Sequence, residues 1–389
     1  MQRPYHDYKS PASLYYKVYA SLKEQAANWD KLLPELHHMR SEHLLALEQC
    51  KPADLEFAYL FFYKNDIAQP VACAYFQLVH FTTRHYQFPL WSNAWLAPLE
   101  KMVLRNGFHI LVCGNLFRVD FPAIHIADMQ VSLTELFDTL EIYYKKLQPQ
   151  PHAILIKDCR SGTDTTWVKQ FNFRNWPEDL TMKLDLNPAW KSLSDYTAAL
   201  KHKYAQRVRK IQRSAASIAR RNLAEEEIEF YGDELEQLFY NVVRQQAIRL
   251  VIPDKSYFLE MKKSYGEAFQ VTGYFEGENL VAFSSHFIYE ETWELHYIGM
   301  DYAKNEQYLL YFNMMYDGIA MAITNKKKAV ELGRTAREAK SMLGGKPIYF
   351  TSYYRLRGWL VNKLVAQFAH TFNEKTGESW HVRSPMKKK

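Results

Sequence analysis

The stretch that most constrains this chain is FQVTGYFEGENLVAFSSHFIYEETWELHYIGMD, residues 269–301. Three runs rich in aromatic and β-branched residues are parted by the turn formers Glu276-Gly277-Glu278-Asn279 and by Glu290-Glu291. Runs of that length with turns that short predict a three-stranded antiparallel meander. A polar loop, YAKNEQ, is expected after Asp301. YLLYFNMMYDGIAMAITN (308–325) predicts a helix and KAVELGRT a strand directly after it.

The first half shows the same order. Apolar spacing over residues 12–50 (Leu14, Val18, Leu22, then Leu32, Leu33, Leu36, Leu44, Leu45 and Leu47) predicts helices. LEFAYLFFY and PVACAYFQLVHF, joined through Lys64-Asn65-Asp66, predict a hairpin, and FHILVCGNL (108–116) a third strand. VSLTELFDTLEIYYKKL (131–147) is an amphipathic helix whose start carries the capping box Ser132 and Glu135. HAILIKDC (152–159) is a buried strand, and residues 171–186 close the half with one or two more. Helices, meander, helix, strand, closing strands: this α+β order occurs twice, which points to an internal duplication. At 389 residues, two domains of roughly 150–200 residues each are expected. Asn187-Pro188 marks the break, giving domains at 1–187 and 188–389.

Between the meanders lies the most basic stretch. Eight of the residues from 201 to 221 are Lys or Arg, with Leu200, Tyr204, Val208 and Ile211 as an apolar stripe. This predicts a helix with one cationic side, followed by a short strand in EEEIEFY (225–231). Arg207 and Arg209 lie nearest its apolar seam. The face reads as a solvated surface, as a site for phosphates or tRNA, or as a contact for an anionic membrane surface. The whole chain is only mildly basic, with 49 Lys and Arg against 43 Asp and Glu. That balance excludes a general nucleic-acid binder, and no DNA partner is expected.

A second anion-binding candidate is VELGRTAREAKSMLGGKP, residues 330–347. A strand empties there into a glycine-punctuated loop carrying Arg334, Arg337, Lys340 and Lys346. Such loops present cations and free backbone N–H groups to anions. Four cysteines, Cys50, Cys73, Cys113 and Cys159, are far apart and form no C-x-x-C pair. They read as buried free thiols of a reducing compartment. The first residues, MQRPYHDYKSP, contain no apolar run, and no window reaches eighteen apolar residues. The expectation is a cytoplasmic protein with no metal. His37, His38 and His43 lack the spacing and companions of a ligand set.

This double order resembles the GNAT superfamily of N-acyltransferases. With a basic helix opening the second half, it resembles the tandem, FemAB-like acyl and aminoacyl transferases. The segments that carry the likeness are LTMKLDL (180–186), YAQRVRKIQRSA (204–215), LHYIGMD (295–301) and VELGRT…AKSMLGG (330–345). The resemblance implies two tandem GNAT-like domains, each a mostly antiparallel mixed sheet flanked by helices. It implies an enzyme moving an acyl group to a small-molecule amine acceptor by direct attack. The donor would be acyl-CoA or another acyl thioester, used as co-substrate with no permanently bound cofactor. A Fem-type aminoacyl-tRNA donor and a non-catalytic ligand platform stand as alternatives. The loop that cradles a pyrophosphate in this superfamily reads DYAKNEQYLL here, with no glycine between Gly299 and Gly318. The donor is therefore expected either to be held differently, as in the Fem-type enzymes that use aminoacyl-tRNA, or to bind through side chains.

Such chemistry needs a base for the amine, donors for the oxyanion and cations for the donor's phosphates. Strict alternation over Thr292 to Asp301 puts Glu294, His296 and Ile298 on one face and Trp293, Leu295 and Tyr297 on the other. Glu294 and His296 are the base candidates, and Asp301 either binds an amine or caps the loop. Arg334, Arg337, Lys340, Lys346, Arg207 and Arg209 are the anion candidates. No cysteine lies in the second half, and Ser284, Ser285 and His286 read as ordinary strand residues.

Overall fold

The computed structural model describes residues 8–9, 14–35, 37–50, 54–64, 69–86, 105, 107–160, 162–246, 248–358 and 380–387. The chain divides into two compact units. The first comprises residues 1–179, 247–252 and 349–377, and the second 180–246, 253–348 and 378–389. Asn187-Pro188 thus lies inside the second unit. No described helix is long and apolar enough to cross a membrane.

The first unit is built on strands β1 (Tyr8–Lys9), β2 (Leu14–Tyr19), β3 (Leu55–Lys64), β4 (Ala72–Phe81), β5 (Phe108–Cys113), β6 (Ile124–Ile126) and β7 (Ala153–Cys159). β1 to β5 pair in antiparallel succession, and β6 pairs with the start of β4. β5 and β7 run parallel, from Ile110 opposite Ala153 to Cys113 opposite Ile156. The helix Leu133–Lys146 supplies the crossover that a parallel pair requires, and Ser132 and Glu135 form its capping box. Leu14–Tyr19 is a strand and not a helix; its alternating Leu14 and Tyr16 are buried. The short helices are Ala26–Asp30 and Ser41–Gln49. Cys50, Cys73 and Cys113 are buried free thiols, and Cys159 is half-buried.

The second unit repeats the plan with β8 (Arg174–Asp185, of which 180–185 belong here), β9 (Ala219–Asn222), β10 (Phe269–Glu276), β11 (Asn279–Ile288), β12 (Thr292–Met300) and β13 (Ala329–Glu331). Its order is β8-β13-β12-β11-β10-β9. All neighbours are antiparallel except β12 and β13, which are parallel and joined through the helix Leu310–Thr324. Trp293 and Leu295 of β12 bury against that helix, and Leu180, Met182 and Leu184 of β8 complete this side of the core. β14 (Lys346–Leu356) leaves the second unit for the first, where its later residues pair antiparallel with β7.

Three further local expectations are corrected. The basic helix covers only His202–Ser214, because Arg220 and Arg221 sit on strand β9 beside β10. EEEIEF is the helix Glu225–Phe230, whose three glutamates suit a helix N-terminus. YAKNEQY is a helix, Tyr302–Tyr308, and not a loop. Residues 380–387 are docked: Lys201 N donates to Pro385 O at 2.8 Å, and Lys387 N to Ala199 O at 3.0 Å.

Gly299 fixes how closely the helix Gly232–Val243 approaches β12. A Cβ there would lie 2.2 Å from Phe283 Cε1 and 2.6 Å from the backbone N of Phe239. A helix backbone cannot move aside as a side chain can. Gly299→Ala is therefore expected to lower unfolding free energy by about 1–3 kcal/mol. Urea unfolding checks it, and an unchanged midpoint would show that the contact has slack.

Candidate functional site

Pairing between β12 and β13 runs from Thr292 opposite Ala329 to Glu294 opposite Glu331. Beyond it the strands part. Leu332 N donates to Met182 O (2.8 Å) and Met182 N to Gly333 O (3.2 Å), so the chain after Glu331 follows β8, while β12 runs on to Met300. Registered partners of a sheet share a face, so Glu294 and Glu331 stand side by side where the strands separate.

β12 also carries a bulge. Ser284 faces Ile298 and His286 faces Leu295, so His296 and Tyr297 together oppose Ser285 alone. Ser285 Oγ accepts the Tyr297 N–H at 3.0 Å and fills the gap in the ladder. Strict alternation is thereby corrected. His296 and Tyr297 share a side, their ring centroids 3.9 Å apart, while Ile298 packs with Trp293 and Leu295. The His296–Tyr297 side is roofed by two helices. Tyr257 of Ser256–Tyr265 places its hydroxyl 2.7 Å from His296 Nε2, and Phe239 of Gly232–Val243 packs on Tyr297 at 4.9 Å. His296 Nδ1 lies 3.5 Å from Glu294 Oε1, with both side chains enclosed.

On the far side of Glu294 lie the half-buried carboxyl of Glu331 and the buried ammonium of Lys340. Thr181 of β8 donates its hydroxyl to Glu331 Oε1, which also accepts the Gly333 N–H at 2.9 Å. Burial nonetheless pushes the Glu331 carboxyl up to about 7, with the Glu294 charge adding to the rise. Lys340, in the helix Arg337–Met342, turns its side chain back along Gly333, where a Cβ would lie 3.4 Å from Nζ. The residue is 5% exposed, and burial pulls its ammonium down to about 7 against the opposing pull of Glu331. Tyr257, His296 and Glu294 are thus in contact in turn, with Glu331 registered opposite Glu294 and Lys340 placed to act electrostatically on Glu331.

The other predicted residues are placed as follows. Asp301 caps Tyr302–Tyr308, accepting the N–H groups of Ala303 at 2.8 Å and Lys304 at 3.4 Å. Asn305 Oδ1 accepts the Tyr311 N–H at 2.8 Å, so the next helix start is filled too. Arg334 and Arg337 are half-buried at the lip beside Gly333. Lys346 turns away to Asp185 (3.3 Å) on the surface. Arg207 lies 4.7 Å over the Phe312 ring and reaches Met342 Sδ at 3.1 Å, which brings it to the same loop as Lys340. Arg209 is exposed on the opposite flank. Glu331, Thr181 and Tyr257 were missed as site residues. For Glu331 a signal existed: an acid between Val330 and Leu332 in an apolar strand needs partners. Thr181 and Tyr257 had none.

Elsewhere the polar and sulfur groups are placed as follows. Trp293 Nε1 can only donate, and it donates to His286 Nδ1 at 3.1 Å. His286 Nε2 therefore carries the proton and donates to Ser284 Oγ at 2.9 Å. Burial holds this imidazole down to about 3, so Ser284 has no base to activate it. Burial also raises the thiols of Cys73, Cys113 and Cys159, which leaves them protonated. Among the described residues no group of three His, Cys, Asp or Glu side chains is placed to hold a metal. In the first unit the last parallel pair is Cys113 and Ile156, in place of two acids.

No protein-family model and no curated protein sequence matches the chain. Solved structures do. A tandem GNAT protein from the clavulanic acid biosynthesis pathway, solved without AcCoA, superposes with a TM-score of 0.54 at 8% identity, covering 89% of this chain and 99% of its own. FemX superposes with a TM-score of 0.51 at 9% identity, covering 89% and 98%. At such identities the likeness concerns architecture alone: this chain has the fold of the tandem GNAT proteins.

Proposed function

We infer that the second unit is an acyl-transfer centre, working where β12 and β13 part. The observation that carries this reading is the juxtaposition of Glu294, Glu331 and Lys340 at that point, with His296 behind Glu294. Transfer by direct attack needs a group that takes a proton from an amine near neutral pH. Glu294 is that base in this reading, with His296 Nδ1 alongside. The amine nitrogen forms a bond to the acyl carbon, its proton passes to Glu294, and the carbon–sulfur bond breaks. The released thiolate takes up a proton. Lys340 faces the developing oxyanion, whose charge counts for more in a site shielded from water. No acyl-enzyme is needed, since all four cysteines belong to the first unit.

The donor in this proposal is an acyl thioester, on CoA or a carrier protein, and the acceptor a small-molecule amine. Asp301 and Asn305 already occupy backbone N–H groups at the two helix starts after β12. Phosphate contacts fall instead to Arg334, Arg337 and Arg207. Lys346 and Asp301 have no part in the chemistry. One observation favours an aminoacyl-tRNA donor as a second reading: Lys203, Arg207, Arg209, Lys210 and Arg213 are all exposed on one short helix. Salt-dependent retention of tRNA on a filter would support it. The same exposed face is what an anionic membrane surface would meet, and vesicle sedimentation separates the two.

Thiol release from a panel of acyl thioesters with amine acceptors tests the leading reading. Glu294→Gln should lower kcat by about 10²–10⁴ with little change in KM. Arg334→Ala should raise KM for the donor. Absence of thiol release across the panel, or full activity in Glu294→Gln, would overturn it.

The poise of Glu331 also has a consequence that needs no substrate. Its folded value, about 7, lies above the ordinary 4.5, so between these values the folded state holds more protons than the unfolded one. Wild-type stability then falls as pH rises through that window. Glu331→Gln removes the titration while keeping the shape. Relative to wild type it should gain on the order of 2 kcal/mol between pH 5 and 7.5, read by urea unfolding. A difference independent of pH would contradict the raised carboxyl.

A further inference from the structure

The helix that carries Lys340 has little to hold itself in place. Arg337–Met342 is six residues long, and its N-cap, Ala336, sits in the left-handed region at φ 52. A helix this short is unstable alone and must be held from outside. One hold is Tyr196, whose hydroxyl donates to Leu343 O at 2.8 Å. Another is Arg207, which reaches Met342 Sδ at 3.1 Å, and several more come from residues 380–387.

Arg383 donates from Nε to Glu338 Oε1 at 3.1 Å, with Nη2 on the same oxygen, and its backbone N–H donates to Ser341 Oγ at 3.3 Å. Glu338 and Ser341 flank Lys340 on that helix. Met386 covers the turn after it, where a Cβ on Gly344 would meet Met386 Cε at 2.9 Å. The segment is itself pinned. Lys201 N donates to Pro385 O at 2.8 Å and Lys201 Nζ to Ser384 O at 2.7 Å, while Lys387 N donates to Ala199 O at 3.0 Å. Trp380 and Met386 pack against the apolar core that contains Leu184 and Leu343. The Arg383–Glu338 pair is about half exposed and contributes little by itself. The grip comes from the backbone bonds and the two apolar side chains.

We propose that the C-terminal segment Trp380 to Lys387 is a positioning clamp for the site, holding the helix Arg337–Met342 so that Lys340 stays turned in against Glu331. This rests on the reading of the second unit as the reacting centre. The segment acts through the helix, on Glu338 and Ser341. Removing it frees the helix to turn outward, which hydrates the ammonium and separates it from Glu331.

Competitive labelling with acetic anhydride, read by mass spectrometry from pH 5 to 11, tests the clamp. It requires no turnover, so its failure is distinct from failure of the acyl-transfer reading. Surface Lys346 serves as the internal reference. In the full chain Lys340 should label slowly, with a midpoint near 7. At the high-pH end, where both amines are largely neutral, deletion of residues 380–389 should raise its labelling relative to Lys346 at least about tenfold, and the midpoint should move toward the ordinary 10.5. Met386→Asp in the full chain should do the same, because the charge cannot stay against the core. General loosening of the fold would raise the labelling of Lys262 as well, which is buried on the helix Ser256–Tyr265 away from the clamp. Lys340 labelling unchanged in both variants, or raised only together with Lys262, would overturn the proposal.

Discussion

Three residues of parallel pairing tie β12 to β13, and the candidate site of the second unit depends on the pairing ending at Glu294 and Glu331. A parallel pair buried on both faces ordinarily carries an apolar run. Here the last pair is two acids, held there because the strands part at once and β8 offers Thr181. Gly333 adds a backbone donor to the same carboxylate. Two carboxylates at sheet spacing cannot both stay charged in a shielded place. One must take a proton or find a cation, and Lys340 is the cation supplied. The first unit has the same parallel pairing but ends it on Cys113 and Ile156. It has the geometry without the charges.

Much of this architecture was legible in the chain. The meander at 269–301, the hairpin at β3 and β4 and the capped helix Leu133–Lys146 follow from period and turn chemistry alone. Failures cluster where local pattern and tertiary pairing disagree. Leu14–Tyr19 has leucine and valine at helical spacing but is captured by β3 as a strand. Arg220 and Arg221 continue a basic run, yet Thr272 to Phe275 draws them into the sheet. EEEIEF alternates like a strand and folds as a helix.

The geometry of the candidate site was half legible. Glu294 and His296 stood out as polar residues two apart in an apolar strand, and they do lie within reach of each other. The bulge at His296–Tyr297 was invisible, because it depends on Ser285 across the ladder. Lys340 was visible as a cation in a loop, but its burial was not. That burial comes from a left-handed Ala336, a six-residue helix and a segment about forty residues further along the chain, none of which the local pattern announces. Glu331 carries its own signal, an acid between Val330 and Leu332 in an apolar strand.

The central claim is that burial at the parting strands holds a glutamate of the second unit near neutrality beside a lysine. Carbon-13 NMR titration of protein labelled at glutamate carboxyls tests it directly, with Glu331→Gln assigning the signal. The account predicts one carboxyl titrating near pH 7 that disappears in that variant. If every glutamate carboxyl titrates in the ordinary acidic range, with none lost from the neutral region, the site is not poised as described and the claim is wrong.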